Sequence, residues 1–271
     1  MANPPHRRID DQGRDVPEIG IDYAFVKDSG EKESLTIIVM KGRESKAIFA
    51  NVVELKGRGM EGTIGRVIEN LRRLGYKRLV FKYDQEPAIL DLVNGIIEAR
   101  EEETIPNNST VGESPSNGVV ERAVRSVKDQ IRNFKLALQA RIRRRVPQKH
   151  AAMTWLVEHA GDCITKHQVS SDGKTAYQRL MGTPCSEEAL EFGETVNYRL
   201  HVDDLADLDA RWSSGVWLGK RWRSAEHLIH TDDGVIHCRA VSRKPIEERW
   251  DRQAIESIVA SPWIPRPSAD D

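Results

Sequence analysis

The chain has 271 residues, 39% apolar and 31% charged, with a formal net charge of −1. That length suits one large or two small domains with a real core, and no apolar run approaches the roughly 18 residues a membrane span requires. The N-terminal Met-Ala-Asn-Pro-Pro-His-Arg-Arg lacks the apolar stretch of a secretory signal, and three scattered cysteines (Cys163, Cys185, Cys238) suggest a reducing compartment rather than a disulfide framework.

Residues 1–16 are polar and aperiodic and read as a tail. Three strand-like runs follow at 19–26, 34–40 and 46–55, rich in Ile, Val, Phe and Thr and separated by turn-like polar segments. Such short connections imply an antiparallel meander. Residues 62–75 carry Ile64, Val67, Ile68, Leu71 and Leu74 at helical spacing, with Gly75 as a stop. A short strand at 78–83 ends at Asp84, and after a helix of that length it can lie parallel to an earlier strand. Pro87 can open the next helix, where its missing amide costs little. The acidic run Glu101-Glu102-Glu103 closes that helix, and 104–115 supplies a short strand or loop.

The stretch from Ser114 to Lys135 then reads as a glycine-containing loop opening a long helix. Ser116 or Asn117 can cap it, and Glu121 falls in its first turn. Val120, Val124, Val127, Ile131 and Phe134 form an apolar stripe, while Glu121, Arg125, Lys128 and Arg132 follow on a neighbouring face. A solvated amphipathic helix with a Glu–Arg pair would look the same. From 122 to 149 there are ten Lys/Arg against one acid, Asp129, and from 184 to 210 eight acids against Arg199. A split of this kind suggests a polyanion-binding patch, or a solvated helix face beside an acidic loop.

Further on, 150–169 reads as a helix and 175–181 as a shorter one closed by Gly182. Short strands are expected at 194–200, 215–218, 226–230 and 235–242, with Asp233-Gly234 as a hairpin turn and a small β-barrel or sheet as the outcome. The remainder beyond Trp250 is polar and proline-rich and reads as a flexible tail. The domains so implied are a core at 17–146, a helical extension at 147–183, a β domain at 190–247 and a tail at 248–271.

Three acids stand where acids are awkward. Asp22 interrupts an apolar strand, where Asp is disfavoured. Asp84 lies just past the end of a parallel-type strand, the edge at which open α/β sheets present ligand groups, although a strand-end Asp also simply forms turns. Glu121 heads the basic helix. If the first and fourth strands are neighbours, Asp22 and Asp84 lie side by side and the helix can bring Glu121 over them. Clustered carboxylates repel unless a cation lies between them, and hard oxygen ligands suit Mg²⁺ or Mn²⁺. Two such ions serve phosphoryl transfer by activating one oxygen and stabilising another.

Asp22, Asp84 and Glu121, within Ser-Pro-Ser-Asn-Gly-Val-Val-Glu-Arg, resemble the D,D-35-E core of retroviral and retrotransposon integrases; 36 residues separate Asp84 from Glu121. Residues 115–120, with Gly118, are similar to that family's flexible loop. The downstream Gly-Lys-Thr-Ala-Tyr-Gln-Arg-Leu-Met-Gly at 173–182 resembles Copia-type elements, and Trp217-Leu218-Gly219 before a hairpin resembles their SH3-like domain. The resemblance covers about residues 18–245. It implies an RNase H-like α/β fold, a mixed five-stranded sheet flanked by helices, followed by a helical segment and a small SH3-like β domain. It further implies a metal-dependent polynucleotidyl transferase with Asp22, Asp84 and Glu121 holding two Mg²⁺ (or Mn²⁺) ions. Asn117, Gly118, Arg122, Arg125, Lys128 and Arg132 would contact DNA. Homo-oligomeric assembly on element ends and target DNA, and a nuclear or cytoplasmic but not secreted location, are also implied.

The sequence departs from the family in two places. Asp84 is followed by Gln85-Glu86-Pro87 rather than a glycine-containing loop, and no His-His-Cys-Cys zinc module precedes the core, whose only upstream histidine is His6. Those departures leave room for a catalytically inactive DNA-binding or scaffold protein derived from such an element, and an RNase H-like nuclease is a further alternative. Other motifs are poorer. His159, Cys163 and His167 share a helix face without an evident fourth ligand. His227, His230, His237 and Cys238 should be scattered over both faces of a sheet. The run at 57–62 lacks the Lys-Ser/Thr ending of a phosphate loop.

Overall fold

The computed structural model describes residues 16–53, 61–108, 114–187, 190–201, 206–222 and 224–267, with the side chains of Glu61, Asn108 and residues 114–117 outside the description. The tail at 1–15, the end of the third strand run at 54–55 and the glycine-rich segment at 57–60 lie outside the described residues. The chain divides into two units, one of Met1–Ile131 with Ala160–Ser186, the other of Arg132–His159 with Glu187–Asp271.

In the first unit, β1 (Glu18–Val26), β2 (Leu35–Gly42) and β3 (Ile48–Val52) form the antiparallel meander expected from their short connections. Helix α1 (Glu61–Leu74) leads into β4 (Arg78–Tyr83), which pairs parallel to β1. Helix α2 (Pro87–Ala99), with its proline in the first turn, leads into β5 (Glu103–Asn108), parallel to β4. The sheet order is therefore β3-β2-β1-β4-β5. This is the mixed, five-stranded RNase H-like sheet.

Burial follows the pattern that such layering demands. In β2, Ile37, Ile38, Val39 and Met40 are all buried, so both faces of that strand are covered. Val67, Leu71 and Leu74 of α1 and Ile89, Leu92, Val93 and Ile96 of α2 are buried too. At the end of α2, the buried Arg100 donates to the carbonyls of Tyr76 (2.6 Å), Glu102 (3.1 Å) and Glu103 (2.9 Å), tying the starts of β4 and β5 together. Two bonds fix the later part of α4 (Ala151–His167) to β3: the Ile48 amide donates to Thr165 Oγ1 (2.8 Å), and that hydroxyl donates to the Ile48 carbonyl (2.7 Å). Gly161 allows the approach, since a Cβ there would meet Ala50 N at 2.9 Å. Helix α5 (Ala176–Met181) is capped by Thr175, whose hydroxyl accepts from the Gln178 amide, and closed by Gly182 at φ 79°.

Helix α3 (Ser114–Ile142) corrects one expectation. The helix begins at Ser114, so 115–120 are helical rather than a loop, Ser116 and Asn117 are not caps, and Glu121 stands beyond the first turn. Pro115 permits this, because a proline near the start of a helix removes only an amide with no intrahelical partner. Its buried stripe also shifts: Val120, Ala123, Val127 and Ile131 are buried, whereas Val124 and Phe134 are half-buried.

The second unit contains an antiparallel sheet of order β10-β6-β7-β8-β9, built from β6 (Thr195–Arg199), β7 (Trp212–Lys220), β8 (His227–Thr231), β9 (Gly234–Cys238) and β10 (Val241–Arg243). The run expected as one strand at 235–242 is two. β9 pairs with β8 and β10 with β6, so the chain crosses from one edge of the sheet to the other at 239–240. The hairpin expected at Asp233-Gly234 is present, its turn at Asp232–Asp233 and Gly234 opening β9 at φ 101°. Leu190, Val196, Tyr198, Trp217, Ile229 and Cys238 make its core.

Within the described residues, the segment at 248–267 expected as a flexible tail carries structure of its own. Helix α6 (Arg252–Glu256) buries Ile255, and beyond it Ile258 and Ala260 are buried. Trp155 Nε1 donates to the Ala260 carbonyl at 2.8 Å.

Candidate active site

The acids converge through strand register. β1 and β4 pair Glu18 with Val80, Ile19 with Phe81 and Gly20 with Lys82, and the same offset brings Asp22 level with Asp84, one residue past the end of β4. Ile19, Ile21 and Tyr23 are buried on one face of β1, which leaves Gly20 and Asp22 on the other. Helix α3 crosses on that second face: a Cβ on Gly20 would lie 3.3 Å from Val120 Cβ. Glu121 follows Val120 and is exposed. Glycine at 20 thus lets the helix approach the strand that carries Asp22.

The electrostatics record the convergence. Burial, then the charges of Asp84, Glu86 and Glu121, push the Asp22 carboxyl up to about 6, against one backbone hydrogen bond that lowers it. Asp84 is raised by burial and by Glu121 and Glu86. A fourth acid therefore belongs to the group. Glu86 is the residue before α2 and makes no side-chain capping bond there. Its signal in the sequence is an acid two residues after Asp84 and just before Pro87.

These oxygens suit a hard divalent cation in chemistry, since an added positive charge would relieve the repulsion that raises Asp22. Among the described residues, however, no group of three or more acids, histidines or cysteines is drawn together closely enough to ligate one ion. Carboxylates of like charge stay apart without a counter-ion, so holding a metal requires these side chains to draw closer together.

Of the residues expected to contact DNA, Arg122, Arg125 and Arg132 are exposed and Lys128 is half-buried on α3. Gly118 has open space where a side chain would be, and the Asn117 side chain lies outside the description. Among the described residues the histidine motifs form no metal-ligating cluster. The His159 ring packs among Phe134, Phe192 and Trp217, with centroids 5.0, 5.6 and 5.3 Å away. His227 Nδ1 accepts from Trp217 Nε1 at 3.0 Å. His227 pairs with Cys238 while His237 pairs with Leu228, which puts them on opposite faces as strand alternation dictates.

The described residues thus make an RNase H-like α/β core with coupled acids at the edge of its parallel strands, followed by a small β domain. No family model and no curated relative matches the sequence. Among solved structures, the chain is similar to the HTLV-2 integrase catalytic core domain in complex with magnesium, with a TM-score of 0.45 and 17% identity over 60% of this chain and 95% of that one. It is similar to a chain of the simian T-cell lymphotropic virus intasome in complex with PP2A regulatory subunit B56 gamma, with a TM-score of 0.48 and 16% identity over 90% and 85%. The BIV integrase catalytic core gives a TM-score of 0.38 and 19% identity over 61% and 93%. The chemistry rests on the residues described above. No described helix is long and apolar enough to cross a membrane.

Proposed function

We propose that this chain is a retroelement integrase of Copia type that trims DNA 3′ ends and joins them to target DNA. The observation that carries the reading is the coupling of Asp22, Asp84, Glu86 and Glu121 at the edge of the parallel pair β1–β4, with a basic helix face beginning at Glu121. Asp22, Asp84 and Glu121 would hold two Mg²⁺ or Mn²⁺ ions. Bound there, the ions supply activation of an attacking water or 3′-hydroxyl and stabilisation of the leaving oxygen. Asp22 must give up its proton to ligate, and a bound cation would favour that loss by offsetting the neighbouring acids that raise it. Arg122, Arg125, Lys128 and Arg132 would lie against phosphates, with Asn117 and Gly118 near the reacting end. The β sheet of the second unit, within 190–247, would be the SH3-like domain of such enzymes. Homo-oligomeric assembly on DNA and action in the nucleus follow from the same reading.

The test is a strand-transfer assay with purified protein, short end-sequence DNA and Mn²⁺, beside Glu121→Gln. Joined products from wild type alone, lost at least about 100-fold in the variant, are expected; equal joining by the two proteins rejects the assignment. A second reading, a catalytically inactive DNA-binding or scaffold protein, is favoured by the Gln85-Glu86-Pro87 loop after Asp84, which lacks a glycine. It requires salt-dependent DNA binding without products from either protein. Cleavage without joining would instead mark a nuclease.

A further inference from the structure

In the first unit, on the face of β2 that carries Lys41, three cations gather. Lys41 pairs with Gly20 in the β1–β2 register, two positions from the Asp22–Val39 pair. Its Nζ donates to the carbonyl of Lys46 at 2.6 Å, across the β2–β3 hairpin. The Lys46 backbone is held at φ 63°, a left-handed conformation that is disfavoured for a non-glycine residue. Arg179, from α5, is the third. Its Nη2 donates to Asp172 Oδ1 at 2.5 Å, but its Nη1 is buried and has no hydrogen-bond partner. A buried guanidinium nitrogen without an acceptor is costly, and native structures seldom leave one so. Asp172 also accepts from the Lys174 amide, so its charge is shared with its own turn.

The charges register the crowding. The Lys41 ammonium is pushed down to about 8, first by burial and then by Lys46 and Arg179. A bound anion would remove that repulsion and give Arg179 Nη1 its acceptor.

We propose that Lys41, Lys46 and Arg179 form an oxyanion site that takes a phosphate group. One tetrahedral anion offers acceptors to a guanidinium edge and to two ammonium groups at once, which a planar carboxylate does less well. The phosphate belongs either to a nucleic-acid backbone or to a small free phosphate compound. The site is read from the β2–β3 hairpin and α5 alone, and it stands whether or not the carboxylates serve integration.

The experiment measures binding of inorganic phosphate, and separately of a short single-stranded DNA, to the full chain at low salt. A chelator is present so that no metal bridges the ligand. Wild type is compared with Lys46→Gln and Arg179→Gln, the first lying in an exposed hairpin where it cannot unfold the core. Each variant should bind inorganic phosphate at least about fivefold more weakly, the loss of one charge-assisted hydrogen bond. If the oligonucleotide also weakens and its salt dependence flattens, the ligand is a backbone phosphate; if only inorganic phosphate weakens, it is a free one. Both results support the site. Undetectable phosphate binding by wild type, or equal binding by both variants, overturns it.

Discussion

Two carboxylates of this chain are treated in opposite ways. Asp22, in the first sheet, has only acids among the charges that move it, and its proton is held up to about pH 6. Glu194, in the second unit, is fully buried, yet both its oxygens are met by Arg243 at 2.7 Å and Arg249 stands 3.5 Å away. Burial alone would raise Glu194, but the Arg243 hydrogen bonds, the Glu191 amide and the two arginine charges leave it below the usual range. Glu194 is a completed ion cluster that holds a domain together. Asp22 belongs to an incomplete one, and a cation supplied from outside would complete it. Burial of charge is common to both; the sign of the neighbours separates architecture from reactivity.

The sharpest way to break this contrast is to remove Glu194. Glu194→Ala strands two arginines and should destabilise the protein by roughly 3–5 kcal/mol, measured as a shift in the urea midpoint. Because the folded carboxyl is depressed, its contribution is present above about pH 4.5 and is lost as pH falls through the folded value. A midpoint unchanged by the substitution would show that the cluster is ornamental.

Asp22→Asn should act in the reverse direction. A raised carboxyl favours the folded state while protonated, so that advantage is present below about pH 4 and is lost as pH rises through about 6. Without divalent metal the variant should therefore be more stable than wild type at pH 7, by about 1–2 kcal/mol once partial exposure is allowed for. Mn²⁺ should raise the melting temperature of wild type and leave the variant unmoved. An equal rise in both would place metal binding elsewhere.

On α3, replacing Arg125 and Lys128 together with Ala should weaken DNA binding for every sequence tested and reduce the slope of affinity against salt by about 2. An unaltered slope would remove these side chains from the DNA path. The smallest expected effect is at Gly118, which is helical with open space around it. Gly118→Ala should stabilise the free protein by about 0.5–1 kcal/mol. A loss of stability would mean that the helix seen at 114–120 is not the resting conformation.

Much of the first sheet was legible because its signals are local. The strand at 78–83 was readable residue for residue, since a hydrophobic run bounded by turn formers needs no distant partner to define it. The approach of Asp22 to Asp84 was also legible, because a meander followed by a helix and a strand leaves few ways to pair β4. The start of α3 was misread because Ser116 and Asn117 are good caps in isolation, whereas the helix runs through them from Ser114. The acids at 184–210 read as one side of a charge split, with a strand expected at 194–200 but no partner legible for any single acid. In the fold Glu194 meets Arg243, Glu191 meets Arg141 and Glu187 meets Lys220. Those partners lie far along the chain, and nothing periodic marks which acid will find which base. Arg100 was silent for the same reason: a lone arginine gives no pattern, and its role appears only when three strand-end carbonyls surround it.

The pairing of β1 with β4 carries a further consequence. A strand that slips by one residue turns every side chain to the opposite face. Were β1 to advance by a single position, Asp22 would point into the apolar layer now filled by Ile21 and Tyr23, and Gly20 would no longer lie beneath Val120. The phase between two strands thus works as a combination lock on the chemistry. Insertions in the turn at 27–34 leave it untouched, whereas one extra residue between Glu18 and Asp22 would silence the site and put part of β1 out of phase with both of its neighbours.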